Sequence, residues 1–287
     1  MTTGILSPNG TLISGQAVAI DFAGERVEDM TAKSPAAMWI DVTDGAKQAG
    51  GGSRGGIMAR LRKIFNEALE QSKKKPGAPA GGPSGGTPGP ELDALVPVVT
   101  GQLPVAFQAN RKMDIENALR LVQEFKLKAI ILGGAEGWKI APALAAAQVP
   151  VALSPNQDIP SFDALGTRLD NATLLRQAGV TVIFAGGDPG GERNLRFSAG
   201  NAVRNGMTWD DALKAMTLWP AQAFGLTDYG TLDVGKVGNV VVWSGDPFDF
   251  AYAAEKVIIR GKETSLRTRE NELRDRYRTL PVDYYKP

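Results

Sequence analysis

Histidine and cysteine are both absent from this chain. Without cysteine there is no disulfide framework and no thiolate metal site, and the absence fits either redox compartment. Without histidine the chain carries no imidazole general base, no Ser-His-Asp triad and no His-ligated zinc of its own. Hydrolytic chemistry would have to use carboxylates, lysine, tyrosine or groups supplied by a partner. A strong charge bias is also missing: the net charge is +1, so no general field favours nucleic acid or a membrane surface, and neither is expected as a partner. No apolar run reaches the length of a membrane span. The opening MTTGILSPNG lacks the basic segment and apolar core of a signal peptide. The chain therefore reads as soluble, with its compartment open.

What is present is a globular composition, 43% hydrophobic and 22% charged over 287 residues, enough for one large domain or two small ones. Residues 2–22 look β-rich, with Val18, Ile20 and Phe22 alternating with smaller or polar residues. AAMWIDV is a further strand candidate. A glycine-rich loop, GAKQAGGGSRGG, leads into a helix from about Ile57 to Lys73, in which Ile57, Leu61, Ile64, Phe65 and Leu69 recur at helical spacing. The segment of about 74–91 is dominated by Gly and Pro and is expected to be a mobile loop. From Leu92 onward, short apolar runs (LPVAF, KAIILGG, VPVALSP, VTVIFAGG) alternate with amphipathic segments (Asp114–Phe125, EGWKIAPALAAAQ, NATLLRQAG, Leu195–Arg204). That alternation is the mark of a parallel sheet with crossover helices. Thr208-x-x-Asp211 has capping-box spacing for one more helix. After Gly225 the stretches GTLDVGKVGNVVVWSGDP and EKVIIRGKE read as a small antiparallel β element, followed by a charged tail with a helix at Leu266–Arg278. The division expected is a barrel domain over 1–226, a β element over 227–265 and a tail over 266–287.

The motifs DDALKAMTLWPAQAFGL, YGTLDVGKVGNVVVWSGDPFD and VIIRGKE resemble the C-terminal part of the amidohydrolase superfamily, in particular its imidazolonepropionase-like branch. The matching residues run in order through Thr217, Pro220, Ala221, Gly225, Gly230, Gly235, Lys236, Trp243, Gly245, Asp246, Pro247 and Gly261. The resemblance implies an incomplete TIM-type (β/α)8 barrel of the metal-dependent hydrolase kind, with a small β element from the C-terminal segment. It places the chemistry at the C-terminal ends of the barrel strands, where a divalent metal, commonly zinc, activates water to hydrolyse C–N bonds other than peptide bonds. The family's His-x-His pair has no counterpart. MTTGILSP resembles the second barrel strand, so the first strand and half of the sandwich are expected to be missing. Family histidines fall at Gln108, Asn110 and Gly133, the eighth-strand aspartate falls at Asp188, and Asn239 stands where an Asp is usual.

Each candidate has a structural alternative. Asp188 is a catalytic base or the one remaining metal ligand, or a turn residue before Pro189. Gln108, Asn110 and Arg111 are ligand-binding residues at a strand mouth, or Asn110 only initiates a turn. Glu136 and Lys139 are spare catalytic acid and base groups, or Glu136 serves a helix N-terminus. Trp138 binds ligand or covers the rim. Arg193, with Arg196, binds a carboxylate or is surface charge, and Ser53–Arg54 form an anion nest or a plain loop. Three readings stay open: a catalytically depleted amidohydrolase that binds a small-molecule ligand or a partner; a subunit or fragment whose His-x-His strand comes from elsewhere; or a hydrolase of atypical mechanism. In the first, the resident metal cofactor is not expected. A homo- or hetero-oligomer is expected in the first two.

Overall fold

The computed structural model describes residues 1–10, 12–74, 90–157, 159–186 and 194–278. Seven strands form one sheet in chain order: β1 (Thr3–Leu6), β2 (Ile13–Asp21), β3 (Thr31–Asp41), β4 (Val105–Ala109), β5 (Ala129–Gly133), β6 (Val151–Leu153) and β7 (Val182–Phe184). A second sheet holds β8 (Val240–Trp243), β9 (Ala254–Ile259) and β10 (Lys262–Thr264) in the order β10-β9-β8. The helices are α1 (Val27–Met30), α2 (Arg54–Ser72), α3 (Pro90–Val99), α4 (Lys112–Phe125), α5 (Ala141–Ala146), α6 (Asn171–Gln177), α7 (Leu195–Arg204), α8 (Trp209–Met216), α9 (Leu218–Ala223) and α10 (Arg269–Tyr277).

From β3 to β7 every pairing is parallel, and the strands curl into an incomplete (β/α) barrel with helices outside. The pleat sorts side chains between two cores. Val105, Phe107 and Ala109 of β4 face the helices, as do Ile131 of β5 and Val151 of β6. Ala106, Ile130, Leu132, Ala152 and Ile183 face inward. The outer core is the larger. Helix α2 gives it Ile57, Leu61, Phe65 and Ala68 at three- and four-residue spacing, and Phe65 meets Phe125 of α4 edge-on at 5.3 Å. Inside, Phe224 and Trp219 from the α9 region cover the lower part of the concave face. Lys33 Nζ donates to the Phe224 carbonyl at 2.8 Å and fixes the C-terminus of α9 there.

Several expectations change. The opening segment is not a parallel barrel strand. β1 pairs antiparallel with β2, and β2 antiparallel with β3, so the sheet begins as a meander. The reason is connection length: joining parallel neighbours takes a crossover of a dozen or more residues, and the link from β1 to β2 is too short for one. EGWKIAPALAAAQ folds as a 3-10 turn over Gly137–Ile140 followed by the short α5, not as one helix. Pro142 sits where a helix tolerates it, in the first turn. GTLDVGKVG is turns around Gly230 and Gly235, both at positive φ, and the strand starts only at Val240. α3, with Pro97 inside it, carries no clear helical signature in the sequence. The expected loop of about 74–91 lies almost wholly outside the described residues.

The lower end of the sheet is locked by Asp21, which is fully buried. Its carboxylate accepts from Thr3 Oγ1 (2.6 Å), Tyr229 Oη (2.9 Å), Asn239 Nδ2 (2.8 Å) and Arg260 Nε (2.6 Å). Burial alone would raise its pKa, but these donors together hold it below the ordinary aspartate value. The Tyr229 hydroxyl is pushed up to about 12, by burial first and by its hydrogen bond to Asp21 second. Asn239 suits this spot because it donates to Asp21 and Thr3 while its Oδ1 accepts from the Arg260 amide at 2.7 Å. A carboxylate there would face another carboxylate.

Candidate functional site

The C-terminal ends of β3 to β7 open together onto a cavity of about 630 Å³. Trp39 and Asp41 come from β3, Gln108 and Asn110 from β4, Leu132 and Gly133 from β5, Ser154 from the end of β6 and Ala185 from the end of β7. Trp39, Asp41 and Gln108 reach it because inward positions recur every second residue and Asp41 pairs directly with Gln108 in the ladder. Asp41 is the sole ionisable side chain lining the cavity among the described residues. It accepts from the Thr43 amide at 2.7 Å and makes no ion pair among the described residues. No side-chain hydrogen bond engages the amides of Gln108 or Asn110 among the described residues.

Gln108 and Asn110 thus line the cavity at the C-terminal end of β4. Gly133 has φ of 88°, a conformation that disfavours any side chain, and a Cβ built there would collide with Asn110 Oδ1. The amide of Asn110 fills the space into which a β5 side chain would project.

Glu136 and Lys139 do not line the cavity. Glu136 Oε2 accepts from the Lys112 amide at 2.8 Å at the start of α4, and Oε1 takes the Lys139 ammonium at 2.6 Å. Burial pulls its pKa upward, but the Lys112 amide and the Lys139 and Arg111 charges leave it lowered. The carboxylate serves a helix N-terminus. Trp138 and Arg111 hold the loop between β6 and α6, which covers the cavity with Ile159, Ser161, Ala164 and Thr167. Trp138 Nε1 donates to the Gly166 carbonyl at 2.8 Å. Arg111 donates to the Phe162 carbonyl at 2.7 Å, lies over the Phe162 ring at 5.0 Å and pairs with Asp163 at 3.0 Å. Asp188 and Arg193 lie outside the described residues.

Sequence reasoning missed Asp41, although a carboxylate ending an apolar strand in AAMWIDV is a readable signal. It also assigned Arg54 no partner. Ser53 caps α2 by accepting from the Gly56 amide at 3.0 Å. Arg54 then reaches three carboxylates: Asp44 at 3.2 Å, Asp114 at 2.9 Å and Asp163 at 3.1 Å. This is a protein clasp with its charge consumed, not an anion nest. Asp114 is 1% exposed, and neither of its oxygens accepts a directed hydrogen bond from a described residue. Burial therefore outweighs the Arg54 charge, and the Asp114 pKa is raised.

Residues 171–264 match the amidohydrolase family model. The crystal structure of an amidohydrolase from Thermotoga maritima MSB8 is similar with a TM-score of 0.84 and 28% identity, over 93% of this chain and 72% of that one. In fold the chain is similar to an amidohydrolase, and its C-terminal third matches the amidohydrolase family model. A triazine hydrolase variant (TM-score 0.48, 15% identity, 84% of this chain and 64% of that one) and molinate hydrolase (TM-score 0.44, 22% identity, 56% and 42%) share less of the fold. The chain spans less than two thirds of either of these two. None of the curated proteins compared matches the chain.

Amidohydrolases generally use a divalent metal, and the donors at this cavity test the fit of one. Among the described residues they are one carboxylate, Asp41, and the neutral amides of Asn9, Gln108 and Asn110, with no imidazole or thiolate anywhere in the chain. Zinc sites are built from thiolates, imidazoles and carboxylates, and amide oxygens are weak substitutes. The described residues do not fit a hydrolytic zinc centre.

Proposed function

We propose that this amidohydrolase relative is a catalytically depleted barrel that binds a small molecule at its mouth. One observation carries the reading: the strand ends offer Asp41, Gln108 and Asn110 around a cavity of about 630 Å³ where a zinc hydrolase needs imidazoles. The volume lies in the usual range for small-molecule sites, roughly 300–1,000 Å³. Metal analysis of the purified chain after zinc loading, beside hydrolysis assays on amides and cyclic imides, tests it. Well under one zinc per chain and no metal-dependent turnover are expected. A full zinc equivalent together with zinc-dependent hydrolysis overturns the reading.

A second reading rests on the sheet edges. β1 and β7 each pair on one side only, and an unpaired edge is a template for another strand. In that reading a second chain supplies an imidazole-bearing strand. Zinc-dependent activity that appears only when such a chain is co-purified would support it over the first.

A further inference from the structure

Among the described residues, the cavity lining carries charge of one sign. Asp41 is the sole ionisable group lining the cavity among the described residues, and none of them places a cation against it. Two more acceptors in the lining make no side-chain hydrogen bond among the described residues: the side-chain oxygen of Gln108, directly across the ladder from Asp41, and that of Asn110, just past the end of β4. Trp39, two residues before Asp41 on the same face of β3, lines the same space. We propose that the cavity binds a small organic monocation, a primary ammonium ligand, with Asp41 as its counter-ion and Trp39 as its aromatic wall.

The match is one of acceptor chemistry and charge. An ammonium has three N–H donors and no acceptor. Here the described lining offers one carboxylate and the amide oxygens of Asn9, Gln108 and Asn110 as acceptors, with a single negative charge. A bare divalent cation needs six or more oxygen ligands with more anionic character, and the cavity is far larger than such an ion. An aromatic face adds attraction for a desolvated organic cation and almost none for a neutral isostere. Ser154, Ser161 and Thr167 give the rest of the lining hydroxyl character, which suits a ligand with a polar body.

This inference rests on the binding reading above and names the ligand class for the same cavity. The test is calorimetric titration of the full chain with benzylamine, benzyl alcohol, benzoate and magnesium chloride at neutral pH. Benzylamine is expected to bind one to one, with the other three at least tenfold weaker. Asp41→Asn should weaken benzylamine at least tenfold while its thermal unfolding stays close to the parent's. Asn keeps the oxygen that accepts from Thr43, so the fold is preserved. Benzylamine binding that is undetectable, equal to that of benzyl alcohol or benzoate, or unchanged in Asp41→Asn overturns the ammonium assignment. So does magnesium binding that depends on Asp41. If benzyl alcohol or benzoate binds in place of benzylamine, the binding reading survives and only the ligand class fails. Zinc content measured on the same sample reports separately on the broader reading.

Discussion

Two aspartates mark the two ends of the same sheet, and their surroundings are opposite. Asp21, at the lower end, is fully buried and accepts from four side chains. Asp41, at the upper end, faces a cavity and accepts from one backbone amide. The first has its charge matched donor by donor within the protein. The second keeps most of its acceptor capacity for something outside it. In barrels of this kind the strand C-termini carry ligands and the opposite end carries stability. The division here follows that pattern, with hydrogen-bond satisfaction as the measurable difference.

The lower end gives the largest expected effect. Asp21→Ala leaves Arg260 and Tyr229 facing a void and should cost about 3–5 kcal/mol in urea unfolding. The comparison sharpens with pH. Because the Asp21 pKa is depressed on folding, its contribution is complete above the ordinary aspartate value of 3.8 and is lost as pH falls through the lower folded value. The gap between the parent and Asp21→Asn should therefore be constant near neutrality and close in strong acid. Next is the clasp. Arg54→Met strands the buried Asp114 and releases Asp163, for an expected loss of about 2–3 kcal/mol at neutral pH. The sign of its pH dependence is reversed. Asp114 already has a raised pKa, and losing its guanidinium raises it further, so the penalty grows as pH rises through that value and shrinks on acidification. Limited proteolysis should also find the loop over the cavity cut faster in this variant. The smallest effect belongs to the upper end: Asp41→Asn should change unfolding free energy by less than about 0.5 kcal/mol. A loss comparable to that of Asp21→Ala would erase the distinction between the two ends.

The sequence is most readable where local signals suffice. The strands β4 to β7 are short continuous apolar runs because both faces are covered, and the α4 stripe of Ile115, Ala118, Leu119, Val122 and Phe125 is buried as its spacing requires. The β8–β9 pair was carried by its ordered motif. The rest depends on distant partners. Arg54 meets Asp163 across 109 positions of chain, and Asp21 meets Arg260 across 239. Nothing in either local sequence names the other. The meander at the start was hidden because a strand's own sequence does not state the direction of its neighbour, and only pairing distinguishes antiparallel from parallel. Gln108 and Asn110 were legible from their place in a strand–loop–helix pattern. Asp41 was passed over because its strand looked complete without it.

Gly133 has one more consequence. Installing an imidazole on β5 would take two coordinated changes. The backbone would have to leave its left-handed conformation, and the Asn110 amide would have to vacate the volume the new ring must enter. Either change alone yields a damaged barrel with no gain in chemistry. Engineering a hydrolase from this scaffold therefore has to begin with β4 and β5 together, because no single-residue route leads uphill.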